Sequence, residues 1–400
     1  MLVSHISDLH LGYSQFGLEE REEDVYQCFG EAVDVSIREG AKLVILAGDL
    51  FHSPRPSGKA VLTLGKELKK LKDKDIPAAF VLGEHDISRT RDVPFAYLFS
   101  NLGLARRLRL DEPLLVGDCA VFGENKARRN DIDGLVSRLQ GCDRIAMQLR
   151  HLHNGEEGEG KKKKTVLVLH QGLTDFNKFA GEINAADLPP NFDYYALGHY
   201  HDHLEKRFDF LGGPLAYPGS LDLTPSEGIK ETKKGFIMAD LSGEEASTHW
   251  IALEQSRPQF SEKLSYSRLA EDLGKIIKHL EAVAATAYNG KKPVARLEIV
   301  GKDIDSKKIA ANLVKLNDYC LHYVWQPVEE GASAAARSYD SMPADIDAEL
   351  YRLSLEALGS DELAKFAVNE VLPLAAEKDA KAALDVAWEA FKSGRFRQTT

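Results

Sequence analysis

The sequence predicts an α/β fold with a parallel sheet, followed by a small second α/β domain and a C-terminal helical segment. Three observations support this prediction. Short apolar runs alternate with helical stripes from residue 1 to about residue 100, which is typical of right-handed β–α–β crossovers. The same alternation resumes at about residue 246. Beyond residue 338 only helical periodicity remains.

The bulk composition is that of an ordinary soluble protein. The chain has 400 residues, enough for two or three domains, of which 44% are hydrophobic and 28% charged. It starts directly on a predicted strand, has no apolar run of the ~18 residues that a membrane span needs, and carries four widely spaced cysteines. We therefore expect a cytoplasmic protein without membrane association. The net charge of −11 excludes a uniformly basic coat but not DNA as a ligand, because metal ions and local basic patches also attract phosphate.

Strands and helices alternate in the N-terminal part of the chain. The stretch 22–39 repeats apolar residues every four positions, as an amphipathic helix does. The stretch 42–47 is a short apolar run of the kind that buried parallel strands have. In order, the predicted elements are a strand at 2–10, a helix at 22–39, a strand at 42–47, a helix at 56–74, a strand at 78–82 and an antiparallel hairpin at 114–122.

The segment 154–164 carries four consecutive lysines and separates two further groups of elements. We expect a solvated loop there, with a contact to DNA as the alternative. Around this segment, the predicted elements are a helix at 130–153, strands at 165–169 and 194–197, and antiparallel strands with tight turns between 211 and 240.

A change of pattern and a stretch of small residues divide the chain. Residues 1–244 form the predicted first domain. Residues 331–338 are almost all Ala, Ser and Gly and predict a linker, and residues 339–400 carry three helical stripes. Residues 245–330 form a predicted α/β cap domain with strands at 247–253, 294–300 and 321–325 and helices at 267–287 and 306–316.

Acidic and histidine side chains follow five predicted strands at the point where each strand ends. Asp8 and His10 lie two residues apart and so share one face of an extended strand. The carboxyl ends of parallel strands meet at one edge of a sheet, where open α/β sheets place their chemistry. A single such residue is more often structural, but five strand ends in one sheet predict a metal site. The residues concerned are Asp8, His10, Asp49, Glu84, His85, His170, His199 and His201.

The ligand types favour a pair of transition-metal ions. Carboxylates mixed with imidazoles suit Mn²⁺, Fe or Zn²⁺, whereas sites for Mg²⁺ or Ca²⁺ are built almost entirely from oxygen. Too many candidate ligands are present for one ion. A carboxylate at a central strand end can bridge two ions ~3.5–4 Å apart, a spacing that holds a phosphoryl group and activates the attacking water.

The order of these motifs resembles the calcineurin-like metallophosphoesterase superfamily. Asp-x-His, Gly-Asp, Gly-x-His-Asp, a lone His and Gly-His-x-His occur in that superfamily's order between residues 1 and 240. The resemblance implies a metallophosphoesterase-type β-sandwich flanked by helices in the first domain, a DNA-binding cap and an ATPase-binding helical segment. Within that superfamily, the chain is most similar to the SbcD and Mre-eleven family of DNA-repair nucleases. The stretches that carry this similarity are 7–12 (SDLHLG), 47–52 (AGDLFH), 198–201 (GHYH) and 217–220 (YPGS).

The resemblance also implies a cofactor of two Mn²⁺ per chain. At the position of Glu84 the family has asparagine. Three possibilities stay open for Glu84: it holds the second ion with one more negative charge, it disables the enzyme, or it turns away and leaves the second site incomplete. The implied ligands are Asp8, His10, Asp49 and His201 for one ion, and Asp49, Glu84, His170 and His199 for the other.

Three residues receive catalytic roles from the resemblance. His85, oriented by Asp86, would give a proton to the leaving oxygen, because a departing sugar alkoxide is very basic. His52 would position the phosphate or the DNA end, with a capping side chain after the strand as the alternative.

The leading hypothesis is therefore a Mn²⁺-dependent DNA nuclease with exonuclease and single-strand endonuclease activity. It would act on double- and single-stranded DNA ends in double-strand-break repair, with an ABC-type ATPase of the Rad-fifty/SbcC kind as partner. One alternative is a phosphatase or cyclic-nucleotide phosphodiesterase on the same scaffold. The other is a DNA-end scaffold whose catalysis Glu84 weakens.

Two surfaces are predicted to bind other chains. In the resembled family, the helix after Pro56 and the segment after Pro94 pair across a two-fold axis, so we expect a homodimer; packing of both stripes on the sheet is the alternative. The C-terminal helices are expected to bind the ATPase through Trp388 and Phe391, with a self-contained bundle as the alternative. The apolar residues of the dimer stripes are Val61, Leu64, Leu68, Leu71, Phe95, Tyr97, Leu98 and Phe99.

Overall fold

The computed structural model describes most of the chain. Residues 154–162 of the predicted lysine-rich loop and the whole predicted linker 331–338 lie outside the described residues. The described residues are 1–88, 92–151, 163–178, 180–224, 227–230, 232–283, 290–329, and 351–393 except 352, 356, 373 and 375–379.

The strands and helices follow the predicted alternation, with ends that differ by a few residues. None of the described helices is both long and apolar enough to cross a bilayer. The strands are β1 (Leu2–Ile6), β2 (Leu43–Ala47), β3 (Ala78–Val81), β4 (Arg106–Arg107), β5 (Leu114–Val116), β6 (Cys119–Glu124), β7 (Lys164–His170), β8 (Tyr194–Gly198), β9 (Leu204–Lys206), β10 (Leu215–Tyr217), β11 (Gly235–Asp240), β12 (Ser247–Ala252), β13 (Gln259–Ser265), β14 (Val294–Gly301) and β15 (His322–Glu329). The helices are α1 (Glu19–Arg38), α2 (Gly58–Lys72), α3 (Tyr97–Asn101), α4 (Ile132–His151), α5 (Leu269–Val283), α6 (Ser306–Leu313), α7 (Asp361–Phe366) and α8 (Ala380–Lys392).

Two six-stranded sheets pack face to face. The first has the strand order β12-β11-β1-β2-β3-β4 and the second β5-β6-β7-β8-β10-β9. Apolar side chains between them, among them Ile45, Val168 and Ala196, form a buried core. On the outer faces, α1 and α2 cover the first sheet and α4 covers the second. The predicted β-sandwich flanked by helices is confirmed. Strand β10 is antiparallel to β9 but parallel to β8, so the antiparallel prediction for 211–240 holds in part.

Parallel pairing brings the predicted site residues to one edge of the sandwich. β1, β2 and β3 are parallel neighbours in the first sheet, and β6, β7 and β8 are parallel neighbours in the second. Two glycines permit the sheets to approach closely here. A Cβ on Gly48 would overlap the His170 ring, and a Cβ on Gly198 would overlap the Ala47 carbonyl oxygen. Gly48 also has a φ of +90°, which glycine adopts at little cost.

One strand assigned to the cap belongs to the first sheet. The sequence boundary at residue 245 places 247–253 in the cap, but β12 pairs antiparallel with β11 along its whole length. The alternating pattern of an edge strand does not reveal which sheet it completes, so the sequence could not place it. The parallel sheet of the C-terminal α/β unit begins with β13 and has the order β13-β14-β15.

A buried network of charged side chains joins this C-terminal unit to the first domain. The Asp24 carboxylate on α1 accepts hydrogen bonds from Arg257 at 2.6 and 3.1 Å and from Lys291 at 2.9 Å, and it also pairs with Arg21. Burial alone would raise the pKa of Asp24, but these hydrogen bonds and positive charges lower it below its usual value. One ionised carboxylate therefore holds cations from both parts of the chain.

Most of the apolar stripe that the sequence assigns to dimerisation on α2 lies in the protein's own core. Leu64, Leu68 and Leu71 are buried against α1 and the first sheet. For these residues the packing alternative is correct, because the helix covers the sheet with that stripe. The large apolar side chains that remain exposed on α2 and around α3 include Leu62, Phe95, Leu98 and Leu102.

Candidate metal centre

The first two ligand candidates lie in a loop rather than on a strand. β1 ends at Ile6, and Asp8 and His10 have positive φ angles of 51° and 46°. The prediction that strand alternation aligns their side chains is therefore wrong, although the two side chains do converge. Hydrogen bonds from Asp8 N to Gly48 O (3.1 Å) and from His10 N to Asp49 O (2.9 Å) hold this strained loop against the loop after β2.

Asp8, His10 and His201 form the first group of converging ligand atoms. His201 Nε2 lies 3.3 Å from His10 Nε2 and 3.7 Å from Asp8 Oδ1. His10 Nε2 also lies 3.9 Å from Asp49 Oδ2. The structure thus brings together the four residues that the resemblance assigns to one ion.

Asp49 and His170 form the centre of a second group. His170 Nδ1 lies 2.7 Å from the Ala47 carbonyl oxygen, and because a carbonyl oxygen only accepts, this ring nitrogen carries a proton. His170 Nε2 faces two carboxylates, at 3.3 Å from Asp49 Oδ2 and 3.9 Å from Asp8 Oδ1. Asp49 Oδ2 therefore lies between His10 of the first group and His170 of the second.

Glu84 and His199 join the cluster of ligand atoms less completely than the other candidates do. The Glu84 side chain is 46% exposed, and its carboxylate converges with Asp49 and His85. The backbone N–H of His199 donates to Asp8 Oδ2 at 3.1 Å. In the part of the chain that the structure describes, His199 joins none of the four groups whose ligand atoms lie within 4.8 Å of one another.

A lysine that the sequence analysis did not single out contacts His199. Lys126, which follows β6, places Nζ 3.5 Å from His199 Nδ1 and pairs with Glu182 at 2.6 Å. Its side chain is only 8% exposed. No motif distinguishes this lysine from surface lysines in the sequence, since only the fold brings β6 beside the loop after β8.

The histidine assigned as proton donor is held by a backbone carbonyl. His85 Nδ1 lies 2.9 Å from the His52 carbonyl oxygen, so Nδ1 carries a proton. His85 Nε2 lies 3.8 Å from Glu84 Oε1, on the side of the ligand cluster. The imidazole rings of His52 and His85 stack with their centroids 5.4 Å apart. His52 therefore supports His85 with both its backbone and its ring.

Asp86 has a different role from the one the sequence suggests. Its buried carboxylate accepts hydrogen bonds from the N–H groups of Leu50 (3.1 Å), Phe51 (2.9 Å) and Gly83 (2.9 Å). Burial, with the nearby negative charge of Asp49, raises its pKa to about 7. The interpretation that Asp86 orients the imidazole of the neighbouring histidine is wrong. It ties the loop after β2 to the loop after β3, because three backbone donors would otherwise be buried without an acceptor.

Comparison with known proteins bears on this arrangement. The family model described as calcineurin-like phosphoesterase matches residues 1–203. The chain belongs to the calcineurin-like phosphoesterase family. The DNA double-strand break repair protein Mre11 of Sulfolobus acidocaldarius is 30% identical over 337 residues, which cover 81% of this chain and 81% of that protein. The Mre11 protein of Thermoplasma acidophilum is 29% identical over 78% of this chain and 80% of that protein. Among solved structures, a dimetal phosphatase from Danio rerio aligns with 62% of this chain and 95% of that chain, at 13% identity and a TM-score of 0.44.

The donor atoms of this calcineurin-like phosphoesterase fit a dinuclear metal site. Among the described residues, His170 Nε2 is a buried ring nitrogen without a hydrogen-bond partner, and it points between two carboxylates. A buried ring nitrogen between two carboxylates takes up a cation, which is either a proton or, on the lone pair of the neutral ring, a metal ion. The family and the geometry therefore agree on the kind of centre.

Burial lowers the pKa values of two histidines in the centre, whereas a neighbouring negative charge raises the pKa of a third. Burial holds the pKa values of His10 and His199 well below their ordinary value, so both rings are neutral at pH 7. Burial would also lower the pKa of His170, but the negative charge of Asp49 outweighs it and raises that pKa to about 9. In return, His170 lowers the pKa of Asp49 well below its usual value, although burial alone would raise it.

We expect metal uptake to release about one proton per chain at pH 7. His170 carries an extra proton in the metal-free protein because its pKa is about 9, and a metal ligand must be neutral. Metal affinity should therefore decrease about tenfold for each pH unit below 9. The measurement is titration calorimetry of Mn²⁺ binding in two buffers with different heats of ionisation. His170→Asn, which has no such proton, should bind Mn²⁺ more weakly and release none, whereas a wild-type release near zero would contradict the assignment.

Proposed function

We propose that the chain is a Mn²⁺-dependent DNA nuclease, with exonuclease and single-strand endonuclease activity, that works in double-strand-break repair in the cytoplasm with a Rad-fifty/SbcC-type ATPase. One observation carries the proposal: carboxylate and imidazole ligand atoms converge in neighbouring groups that are linked through Asp8 and Asp49, and one of these groups includes His85. The relatives that match about four fifths of the chain carry the name of DNA double-strand break repair proteins, which supports DNA as the substrate.

The residues divide the work of phosphodiester hydrolysis. Two bound Mn²⁺ ions would supply positive charge to the phosphate and lower the pKa of the attacking water. The neutral His170 ring would hold one ion through Nε2, because the Ala47 carbonyl fixes its Nδ1–H. To give a proton from Nε2 to the leaving oxygen, His85 would act as an imidazolium with a proton on each nitrogen, because the His52 carbonyl already fixes its Nδ1–H. The proposed ligands are Asp8, His10, Asp49 and His201 for one ion and Asp49, Glu84, His170 and His199 for the other.

The test compares four substrates in the presence of Mn²⁺. End-labelled linear duplex DNA should be shortened and circular single-stranded DNA should be cut, whereas a chromogenic phosphate monoester and a cyclic nucleotide should react far more slowly. Asp8→Asn, purified in parallel, excludes a contaminating nuclease. Faster hydrolysis of the monoester or of a cyclic nucleotide would make the protein a phosphatase or a cyclic-nucleotide phosphodiesterase. DNA binding without cleavage would make it a scaffold for DNA ends.

Glu84→Asn is expected to speed cleavage and to weaken Mn²⁺ binding, each by about 3- to 10-fold, since water screens the half-exposed carboxylate. A carboxylate adds one negative charge that an amide lacks, so it attracts the cation, repels the phosphate and lowers the Lewis acidity of the ion. The measurements are single-turnover cleavage at saturating Mn²⁺ and a Mn²⁺ titration. Glu84→Gln removes the charge at constant length and serves as the control. A Glu84→Asn variant that binds Mn²⁺ more tightly and cuts no faster would favour a Glu84 that turns away from the second ion.

The homodimer is proposed to form through the exposed apolar side chains of α2 and α3. Leu62 is 75% exposed and Leu98 is 44% exposed, and α2 and α3 lie side by side where Gly65 faces the Phe99 ring. Leu62→Glu combined with Leu98→Glu should convert a dimer into a monomer, as measured by light scattering at micromolar concentration. Leu115→Glu is a matched control, because Leu115 is 51% exposed on β5 of the other sheet. A wild-type monomer at this concentration would rule out the dimer.

The ATPase is proposed to bind the C-terminal helices. Leu384, Trp388 and Phe391 follow each other at helical spacing on α8, and all three are more than half exposed. The Trp388 and Phe391 rings stack with their centroids 5.5 Å apart, which forms one apolar anchor of the kind that a groove in a partner accepts. Trp388→Ala with Phe391→Ala should abolish co-purification with a Rad-fifty/SbcC-type ATPase. Co-purification of a chain that ends at residue 330 would make this assignment wrong.

A further inference from the structure

A buried polar cluster lies behind His201, and the chemistry described above makes no use of it. Lys234 and Glu227 form an ion pair in which the side chains are only 3% and 5% exposed. Thr224 and Ser220 complete the cluster and are buried as well. Burying an ion pair costs free energy unless further hydrogen bonds satisfy both partners, so the remaining contacts of these side chains indicate what the cluster does.

The contacts run from Glu227 to the ring of His201. Glu227 Oε2 lies 2.9 Å from Thr224 N and 3.0 Å from Thr224 Oγ1. Thr224 Oγ1 in turn lies 2.6 Å from His201 Nδ1. On the opposite side of the same ring, His201 Nε2 faces Asp8 and His10 in the metal centre.

The protons available on these side chains determine the direction of each hydrogen bond. Glu227 is paired with the Lys234 ammonium, so its carboxylate only accepts, and the single hydroxyl proton of Thr224 is donated to it. Thr224 Oγ1 can then only accept from His201, so His201 Nδ1 carries the ring proton. A neutral imidazole with its proton on Nδ1 has its lone pair on Nε2, the nitrogen that faces the metal centre.

We propose that Thr224 and Glu227 are positioning residues that hold His201 in the Nδ1-protonated tautomer, with Nε2 presented to a divalent cation before any ion binds. Lys234 adds to this effect, because it donates to the His201 carbonyl oxygen at 2.8 Å and so holds the backbone from the same cluster. Hydrogen-bond partners that fix a ligand's tautomer typically change metal affinity by about 10- to 100-fold. The proposal rests on the metal centre of the proposed function, but it concerns the metal-free ring.

Three variants test the contribution of the Thr224 hydroxyl group. Thr224→Val removes the hydroxyl with almost no change of shape, and Thr224→Ser retains it. Thr165→Val is the matched control: Thr165 is buried in the second sheet and its hydroxyl donates to Asp193 at 3.0 Å, so this variant also deletes a buried hydroxyl beside a carboxylate. It should carry a comparable cost in stability without touching His201.

The first measurement reads the tautomer directly in the metal-free full chain. Long-range ¹H–¹⁵N spectra of protein labelled at histidine distinguish a protonated from an unprotonated ring nitrogen, and His201→Asn identifies the His201 signals. Wild type, Thr224→Ser and Thr165→Val should have the proton on Nδ1, and Thr224→Val should shift population to Nε2. A wild-type proton on Nε2 would overturn the proposal even if no variant could be purified.

The second measurement is Mn²⁺ affinity. Thr224→Val should weaken one of the two Mn²⁺ equivalents by about 10- to 100-fold, and Thr224→Ser should restore it. Thr165→Val should bind as the wild type does. Equal losses in Thr224→Val and Thr165→Val, or no loss in either, would refute the positioning role. A wild type that binds no Mn²⁺ would refute the proposed function instead, and the tautomer spectra would still decide the state of His201.

Discussion

Replacement of His85 by alanine is expected to slow DNA cleavage about 10²- to 10⁴-fold while Mn²⁺ binding stays nearly unchanged. The His52 carbonyl holds Nδ1–H of His85 and leaves Nε2 on the side of the ligand cluster, where the imidazolium form of the ring can give a proton to the leaving oxygen. The ring is not among the proposed metal ligands, so its removal takes away a proton donor but no ligand of either ion. Single-turnover cleavage of end-labelled DNA and a Mn²⁺ titration measure the two properties separately.

A substrate with a better leaving group sharpens this test. A nitrophenyl ester of thymidine phosphate releases an anion that needs no proton, so His85→Ala should affect its hydrolysis much less than that of DNA. His249→Ala is the control, because it removes an exposed histidine on β12. An equal loss on both substrates would argue against proton donation. Loss of bound Mn²⁺ would instead make His85 a metal ligand, consistent with the group that it forms with Glu84 and Asp49.

Asp49→Asn should remove both ions and reduce cleavage to background. Asp49 Oδ2 lies 3.9 Å from Nε2 of His10, a proposed ligand of one ion, and 3.3 Å from Nε2 of His170, a proposed ligand of the other. Its Oδ1 also accepts the backbone N–H of His85 at 2.8 Å, a bond that the asparagine oxygen can keep. The variant therefore removes charge with little change of shape. Loss of a shared carboxylate should weaken metal binding by about 100-fold or more.

The measurement for Asp49→Asn is the Mn content of the purified protein by mass spectrometry, together with DNA cleavage. Asp193→Asn is a matched control: Asp193 accepts the Thr165 hydroxyl in the second sheet, away from the metal centre. It should retain two Mn per chain. Retention of one Mn in Asp49→Asn would mean that Asp49 is a ligand of a single ion and that another group bridges the pair.

Sequence reasoning located the metal centre well because its signal is topological. Neighbouring parallel strands end at one edge of their sheet whatever their side chains do, so a carboxylate or imidazole after each strand arrives at that edge. The prediction of a single sheet is wrong, because the five strands lie in two sheets, and the packing of the sheets brings the two edges together. The local geometry did not need to be predicted correctly. Asp8 and His10 have left-handed backbone and leave the strand at Ile6, but the loop still delivers both side chains to the same point.

The parts that sequence reasoning missed depend on contacts between distant segments. Thr224 and Glu227 act on His201 only because the chain after β10 folds back beneath it, and their Thr-x-x-Glu spacing is also common in helix caps. Asp86 directly follows His85 in the sequence, but its carboxylate accepts hydrogen bonds from the backbone of another loop. Such partners cannot be inferred from spacing, because hydrogen-bond direction depends on the final positions of the donors.

The buried carboxylate of Asp24 limits how this protein can diverge. It holds Arg21 on its own helix and Arg257 and Lys291 from the C-terminal unit, so replacing Asp24 alone takes a carboxylate from all three and leaves Arg21 paired with Asp222. Removing one partner of a buried charge cluster costs about 3–5 kcal/mol. Substitutions at these four positions should therefore be tolerated best when they remove acid and bases together. Retention of the cluster would preserve the orientation of the C-terminal α/β unit, and a foreign unit grafted in its place would need to bring its own matching cations.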